Sequence, residues 1–232
     1  MITLDFEFFT QLIGVIAFAL SGAILAINKN LDILGVIIIG IVTAFGGGLT
    51  RDLVLGVHPP NVFWNREYIF LVGIAVITTI ACFLVAYCGK RTVFMLHKER
   101  NVFLLDIADA VGLASFCIAG SMYALSLGHD GKVLLLFVGC ITGVGGGIIR
   151  DLFLGEIPLV FRKNVYLTPS ILGTLAFVLL QPHISNFLAG SIGFIIILTI
   201  RVLGIIFKWN LPTVKNEETK EENLNGGDKN SD

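Results

Sequence analysis

The sequence carries one run of glycine and charge twice. AFGGGLTRDLVLGVHP at 44–59 and VGGGIIRDLFLGEIP at 144–158 share three glycines, an arginine–aspartate pair and a proline in one spacing. The offset is 99 residues, from Gly46 to Gly145, Arg51 to Arg150 and Asp52 to Asp151. Gly46, Gly47 and Gly48, and again Gly145, Gly146 and Gly147, fall mid-way along apolar runs. One mid-helix glycine costs about 0.5–1 kcal/mol relative to alanine, so three in a row predict a weakened or kinked helix. Carbonyls freed at a kink are tolerated at membrane depth only against protein or along a wet cavity, and such oxygens suit hard cations. Thr43 and Thr142, three residues before each motif, would add hydroxyl oxygens. The same glycines also read as close helix packing. Gly139, Gly143 and Gly147 form a GxxxGxxxG row, and Gly40, Ala44 and Gly48 form its counterpart.

Arg51 and Arg150 are the sharpest charges. A cation deep in a span costs about 2.5–3.5 kcal/mol on insertion scales, so each needs a partner or water. Asp52 and Asp151 sit at i+1, about 100° around the helix, and are expected to face their own arginines poorly. Asp106 and Asp109, at i and i+3, share one helix face. They are expected to face Arg150 and draw cations into a vestibule. The matching earlier positions are Phe8 and Gln11, with Asp5 and Glu7 nearby to replace the charge. Arg201 is expected to pair with protein or a lipid phosphate. The prolines at 59, 60 and 158 are expected to stop the glycine helices.

Other chemistry finds no support. Neither glycine run ends in the GK[ST] that sets a lysine on phosphates, and there is no nucleophile elbow or HExxH. An enzyme is therefore not expected. Cys82, Cys88, Cys117 and Cys140 lie in apolar runs without CxxC spacing, and the four histidines are scattered. Neither a disulfide framework, a metal site nor a cofactor is expected, and the cysteines read as small buried hydrophobes.

The elements that hold these residues follow from composition. Of 232 residues, 55% are hydrophobic and only 14% charged, and the net charge is −1. A soluble domain carries about 25% charge, so an ordinary water-soluble globule is excluded, and no basic field for nucleic acid exists. Seven apolar runs near the membrane-spanning length are predicted: Phe8–Ile27, Ile33–Gly56, Tyr68–Cys88, Val102–Leu127, Lys132–Gly155, Tyr166–Leu180 and Phe187–Phe207. Lys29, the cluster Lys90, Arg91, Lys98 and Arg100, then Arg162, Lys163 and Lys208 mark alternate loops. That bias predicts an outside N-terminus and a cytoplasmic C-terminus. The acidic start MITLDFEFF argues against a cleaved signal.

With an offset of 98, Gly14 aligns on Gly112 and Gly22 on Gly120, so the repeat extends over three spans. Three is odd, and the second copy must enter the membrane from the opposite face. The expected fold is an all-α membrane protein of seven transmembrane helices, an inverted 3+3 repeat plus a seventh helix. Its parts are a first repeat at 1–97, a second at 98–186, the seventh helix at 187–210 and a disordered cytoplasmic tail at 211–232. The tail holds three basic and six acidic residues.

Two copies of GGGxxRDxxLG on the second and fifth of seven spans resemble the trimeric intracellular cation channel family, in its prokaryotic branch. The match covers nearly all of residues 1–210. The resemblance implies a homotrimer in the lipid of a prokaryotic inner membrane, each subunit holding its own pore. It implies passage of K+ and Na+ between kinked second and fifth helices, with the kinks at Gly46–Gly48 and Gly145–Gly147. Arg51, Arg150, Asp106, Asp109, Asp52 and Asp151 are then candidates for pore charge or gate. The Lys-Glu-Val signature of the animal members does not occur. Related bacterial sequences are also described as glycine transporters. A carrier of a small zwitterion such as glycine is the alternative reading, with Arg51 or Arg150 holding its carboxylate.

Overall fold

The structure is a computed structural model and describes residues 6–88, 98–162 and 166–209. The tail at 211–232, Asp5 and the loop cations Lys90, Arg91 and Lys163 lie outside the described residues. Helix α1 spans Phe6–Asn28, α2 Ile33–Val54, α3 Arg66–Cys88, α4 Lys98–Ser126, α5 Lys132–Phe153, α6 Leu167–Leu180 and α7 Asn186–Ile206. Short turns of helix at Asn61–Phe63 and Leu159–Arg162 follow α2 and α5. All but α6 are long and apolar enough to cross a membrane. The 14 residues of α6 would reach only about 21 Å, short of a hydrocarbon core about 30 Å thick.

Local signals set the helix ends. Asp32 caps α2 by accepting from the Gly35 N–H at 2.8 Å, and Ser185 caps α7 by accepting from Leu188. The glycine helices stop before their prolines are reached. Gly56 and Gly155 take φ of +70° and +68°. The Val57 N–H returns to the Asp52 carbonyl at 2.8 Å and the Glu156 N–H to Asp151 at 2.9 Å. These are left-handed glycine stops of the Schellman kind. They correct the expectation that proline does the stopping, and Pro59 and Pro158 only follow a turn already made.

Helices α1 and α4 form the centre of the bundle. They pack on each other through a reciprocal exchange. The Phe18 ring lies where Gly112 has no side chain, and the Phe116 ring lies against Gly14. The two rings meet at 5.2 Å. Around this crossing, α1 packs on α2 and α3, and α4 on α5, α6 and α7. Two apolar cores flank it, one around Val15, Ala19 and Leu71 that Phe116 of α4 joins, the other around Leu113, Ile118 and Phe177. Outward faces are also apolar: Leu34, Val85 and Val133 are exposed. In water such a surface would aggregate, whereas a bilayer solvates it. This is an integral membrane protein.

Candidate functional site: two buried arginine clusters beside a glycine crossing

Helices α2 and α5 cross at the triple glycines. Both helices run unbroken through them, so the expected interruption that frees carbonyls is not what the glycines produce. They produce contact. A β-carbon on Gly47 would collide with the Thr142 carbonyl, and one on Gly146 with the Thr43 carbonyl. A β-carbon on Gly145 would come 3.1 Å from the Gly47 Cα. Gly46 faces Ile149. The absence of side chains lets two backbones touch, as in small-residue membrane packing. Gly48 faces open space, while its partner position Gly147 is covered by the Tyr166 hydroxyl at 3.2 Å.

Thr43 and Thr142 do not present their hydroxyls to a cavity. Each donates to its own helix, to the Ile39 and Val138 carbonyls, both at 2.6 Å. Each packs on a glycine of the neighbouring helix, Gly22 on α1 and Gly120 on α4. Both are buried. A threonine that bonds back to the preceding turn removes a donor from the interior, which suits helix packing.

Arg51 lies in the last turn of α2 and is 2% exposed. Its Nε and Nη2 donate to one oxygen of Asp52 at 2.9 and 2.7 Å. The poor i+1 pairing expected from helix geometry is therefore corrected. The long arginine stem carries its fork around the helix, where a shorter cation would not reach. The second Asp52 oxygen accepts from Asn61 twice, from the backbone N–H at 2.8 Å and Nδ2 at 3.1 Å. Arg51 Nη2 also donates to the Tyr68 hydroxyl at 3.0 Å. Its guanidinium lies 3.9 Å from the centre of the Tyr123 ring, a cation–π contact. Asn61 Nδ2 donates to the Tyr123 hydroxyl at 2.6 Å and closes the ring of contacts.

Arg150 is held by more charge. Its Nε donates to Asp151 at 2.8 Å. Its Nη1 donates to Asp109 at 3.0 Å and to the Ser21 hydroxyl at 2.6 Å. Asp151 accepts at its other oxygen from the Leu159 N–H at 2.8 Å. Asp109 is fully buried, and its second oxygen lies 3.5 Å from Arg201 of α7. The Arg201 guanidinium in turn lies over the Tyr166 ring, 4.4 Å from its centre. Two guanidinium groups and two carboxylates thus meet in this cluster. Of the acidic pair expected at Arg150, Asp109 is brought to it. Asp106, one turn earlier on α4, is also buried. Arg201 finds a protein carboxylate.

Several of these residues escape sequence reading. Tyr68 and Tyr166 do carry a signal, since they stand at the same 98-residue offset as the earlier helices. Tyr123 and Ser21 carry none, because each belongs to one half and serves the arginine of the other. Asn61 is matched by Leu159, and what persists is the backbone N–H that caps the aspartate. Outside the clusters, Lys29 pairs with Glu156 across the two halves. Of the cysteines, Cys117 is buried, Cys82 and Cys140 are half-buried, and Cys88 is exposed, unlike the buried cysteine expected there.

The family model described as glycine transporter matches residues 8–87 and 106–182. Those segments start 98 residues apart. The UPF0126 membrane protein YvgT of Bacillus subtilis is 39% identical over 206 residues, covering 87% of this chain and 93% of the relative. The UPF0126 inner membrane protein YadS of Escherichia coli K12 is 34% identical over 215 residues, covering 91% and 97%. A solved prokaryotic TRIC channel in 0.5 M KCl superposes with a TM-score of 0.76 at 32% identity, covering 88% of this chain and 97% of its own. The TRIC orthologue from Rhodobacter sphaeroides gives 0.72 at 33% identity, covering 88% and 98%. The chain belongs to the prokaryotic TRIC family. In this TRIC chain the family model ends at residue 182, before α7. A further solved TRIC cation channel covers 93% of the chain and 99% of its own length, at 34% identity and a TM-score of 0.75. Arg201 therefore stands on a helix outside the matched segments, yet it completes the Arg150 cluster.

Proposed function

We propose that the protein is a monovalent cation channel of a bacterial inner membrane, a homotrimer that passes K+ and Na+ through a pore in each subunit. The observation that carries this reading is the likeness to solved TRIC cation channels over nearly the whole chain. The pathway runs beside the α2–α5 crossing. Its two three-helix halves, 1–97 and 98–186, enter the membrane in opposite senses, with α7 outside the repeat, the N-terminus outside and the C-terminus cytoplasmic. The reciprocal contacts of Phe18 with Gly112, Phe116 with Gly14, and Gly47 and Gly146 with the threonine carbonyls support the two-fold relation. Inversion places Arg51 and Arg150 on opposite sides of the crossing, about 10–15 Å apart in depth.

Electrostatics gives the clusters their role. A bare guanidinium about 4 Å from a passing cation would oppose it by about 4 kcal/mol at an effective dielectric of 20. Pairing with Asp52, and with Asp109 and Asp151, cancels that barrier. Backbone contact at Gly47 and Gly146 leaves no room between the two helices, so conduction between them needs the helices to part or turn. The clusters at either end hold or release them. Bilayers containing the purified protein should show discrete currents in KCl. Their absence at every voltage, with the trimer intact, would refute the channel.

The second reading, a carrier for a small zwitterion such as glycine, is favoured by the description of the family model. It needs an arginine free to take a substrate carboxylate. Both arginines are already engaged by internal carboxylates, which weighs against it. Saturable counterflow of labelled glycine without unitary currents would establish the carrier instead.

A further inference from the structure

The turns that cap the two aspartates are themselves a pair. Asn61-Val62-Phe63 and Leu159-Val160-Phe161 stand 98 residues apart and each forms a short helical turn. The first N–H of each turn is given to a buried carboxylate, Asn61 to Asp52 and Leu159 to Asp151. The third residue of each is a phenylalanine that points away from the protein. Phe63 is 69% exposed and Phe161 74%, and Trp64 beside the first is 57% exposed. The Trp64 indole N–H donates to the Pro59 carbonyl at 2.8 Å, so the ring is apolar outward with its donor satisfied.

We propose that Phe63 with Trp64, and Phe161, are anchors in the headgroup–acyl boundary of the bilayer, each holding the turn that clamps an aspartate of an arginine cluster. The occupant follows from position. α2 and α3 are both long enough to cross a membrane, so the residues joining them lie at its surface. The apolar surface is continuous from the spans onto the turns through the exposed Leu53 and Val54, and Leu152, Phe153 and Ile157. Aromatic rings with an apolar body collect at that depth. The placement of the two anchors on opposite faces rests on the inverted plan proposed above. The anchoring itself does not depend on what the protein transports.

The chain has two tryptophans, Trp64 and Trp209, so Trp209→Phe isolates the first anchor with a conservative change. The protein is placed in phosphatidylcholine–phosphatidylglycerol vesicles, with phosphatidylcholine brominated near the headgroup end or near the chain end. Trp64 emission is expected to fall by about half or more with the shallow bromines and by less with the deep ones, as for a belt aromatic. Phe161→Trp, combined with Trp64→Phe and Trp209→Phe, should behave alike. Unchanged emission with both lipids, the result for a ring sealed against another copy of the chain or facing only water, overturns the proposal. So does stronger quenching by the deep bromines. Silent currents in planar bilayers would leave the quenching result intact, so the two readings fail separately.

Discussion

The two arginine clusters start from one sequence motif and end with different chemistry. Among the described residues Arg51 pairs with one carboxylate, Asp52, and is otherwise wrapped by two tyrosines. Arg150 has two carboxylates, and one of them is shared with a second arginine from α7. The difference traces to one helix position. Where α4 offers Asp109, α1 offers Gln11, which is uncharged and donates to Glu7 at 3.0 Å. A duplicated motif thus fixes where a buried cation sits, while the unduplicated neighbours decide how it is neutralised. One cluster relies on a single ion pair plus π-faces. The other is a network with redundancy.

That contrast can be broken most directly at the aspartates. Asp52→Asn leaves Arg51 buried without a carboxylate and should destabilise the folded protein by about 3–5 kcal/mol. Asp151→Asn should cost about half as much, because Asp109 still holds Arg150. Thermal unfolding in detergent micelles measures both, and equal losses would remove the claimed redundancy. In bilayers Asp52→Asn should also lower cation conductance more than Asp151→Asn does.

The glycine crossing should respond symmetrically. Gly47→Ala and Gly146→Ala each push a methyl into a carbonyl of the opposite helix, and each should cost about 1–3 kcal/mol by overpacking. Gly48→Ala enters open space and should leave stability within about 0.5 kcal/mol of wild type. A large loss at Gly48 would contradict the packing assignment.

A smaller effect isolates the aromatic half of the comparison. Tyr123→Leu removes the ring from Arg51 and should cost about 2 kcal/mol. Tyr123→Phe keeps the ring, loses only the bond from Asn61, and should cost about 1 kcal/mol. If the two variants matched, the cation–π contact would contribute nothing. A small effect is also expected at the half-exposed Lys29–Glu156 pair, where Lys29→Ala should shift stability by about 0–1 kcal/mol. The shift should vanish in high salt, whereas the buried pairs should be insensitive to it.

Much of this was legible beforehand, and the parts that were not share a cause. The span from Ile33 and the span from Lys132 begin where they were read, and the others agree to within a few residues. Proline is the conspicuous residue after each glycine helix, while the stop is made by the left-handed Gly56 and Gly155 a few residues earlier. The i+1 rule failed for Arg51 and Arg150 because it describes where a side chain leaves the helix, not how far a guanidinium can reach. The spacing of Thr43 and Thr142 does not say which side of a helix is covered, and only the packing on Gly22 and Gly120 does.

The sequence by itself determined which segments are apolar enough to cross a membrane, that one motif occurs twice, and which few charges had to be reconciled with a low-dielectric interior. Those are properties of composition over a window of about 20 residues and of self-similarity, and both are local. Only the tertiary structure decided which groups neutralise those charges. Tyr123 reaches Arg51 from the other half, Ser21 reaches Arg150 across 129 positions, and Arg201 joins from α7. Such pairings depend on how whole helices cross. That is fixed by the glycine contacts between α2 and α5, and by Phe18 and Phe116 between α1 and α4, not by the spacing of charges along the chain.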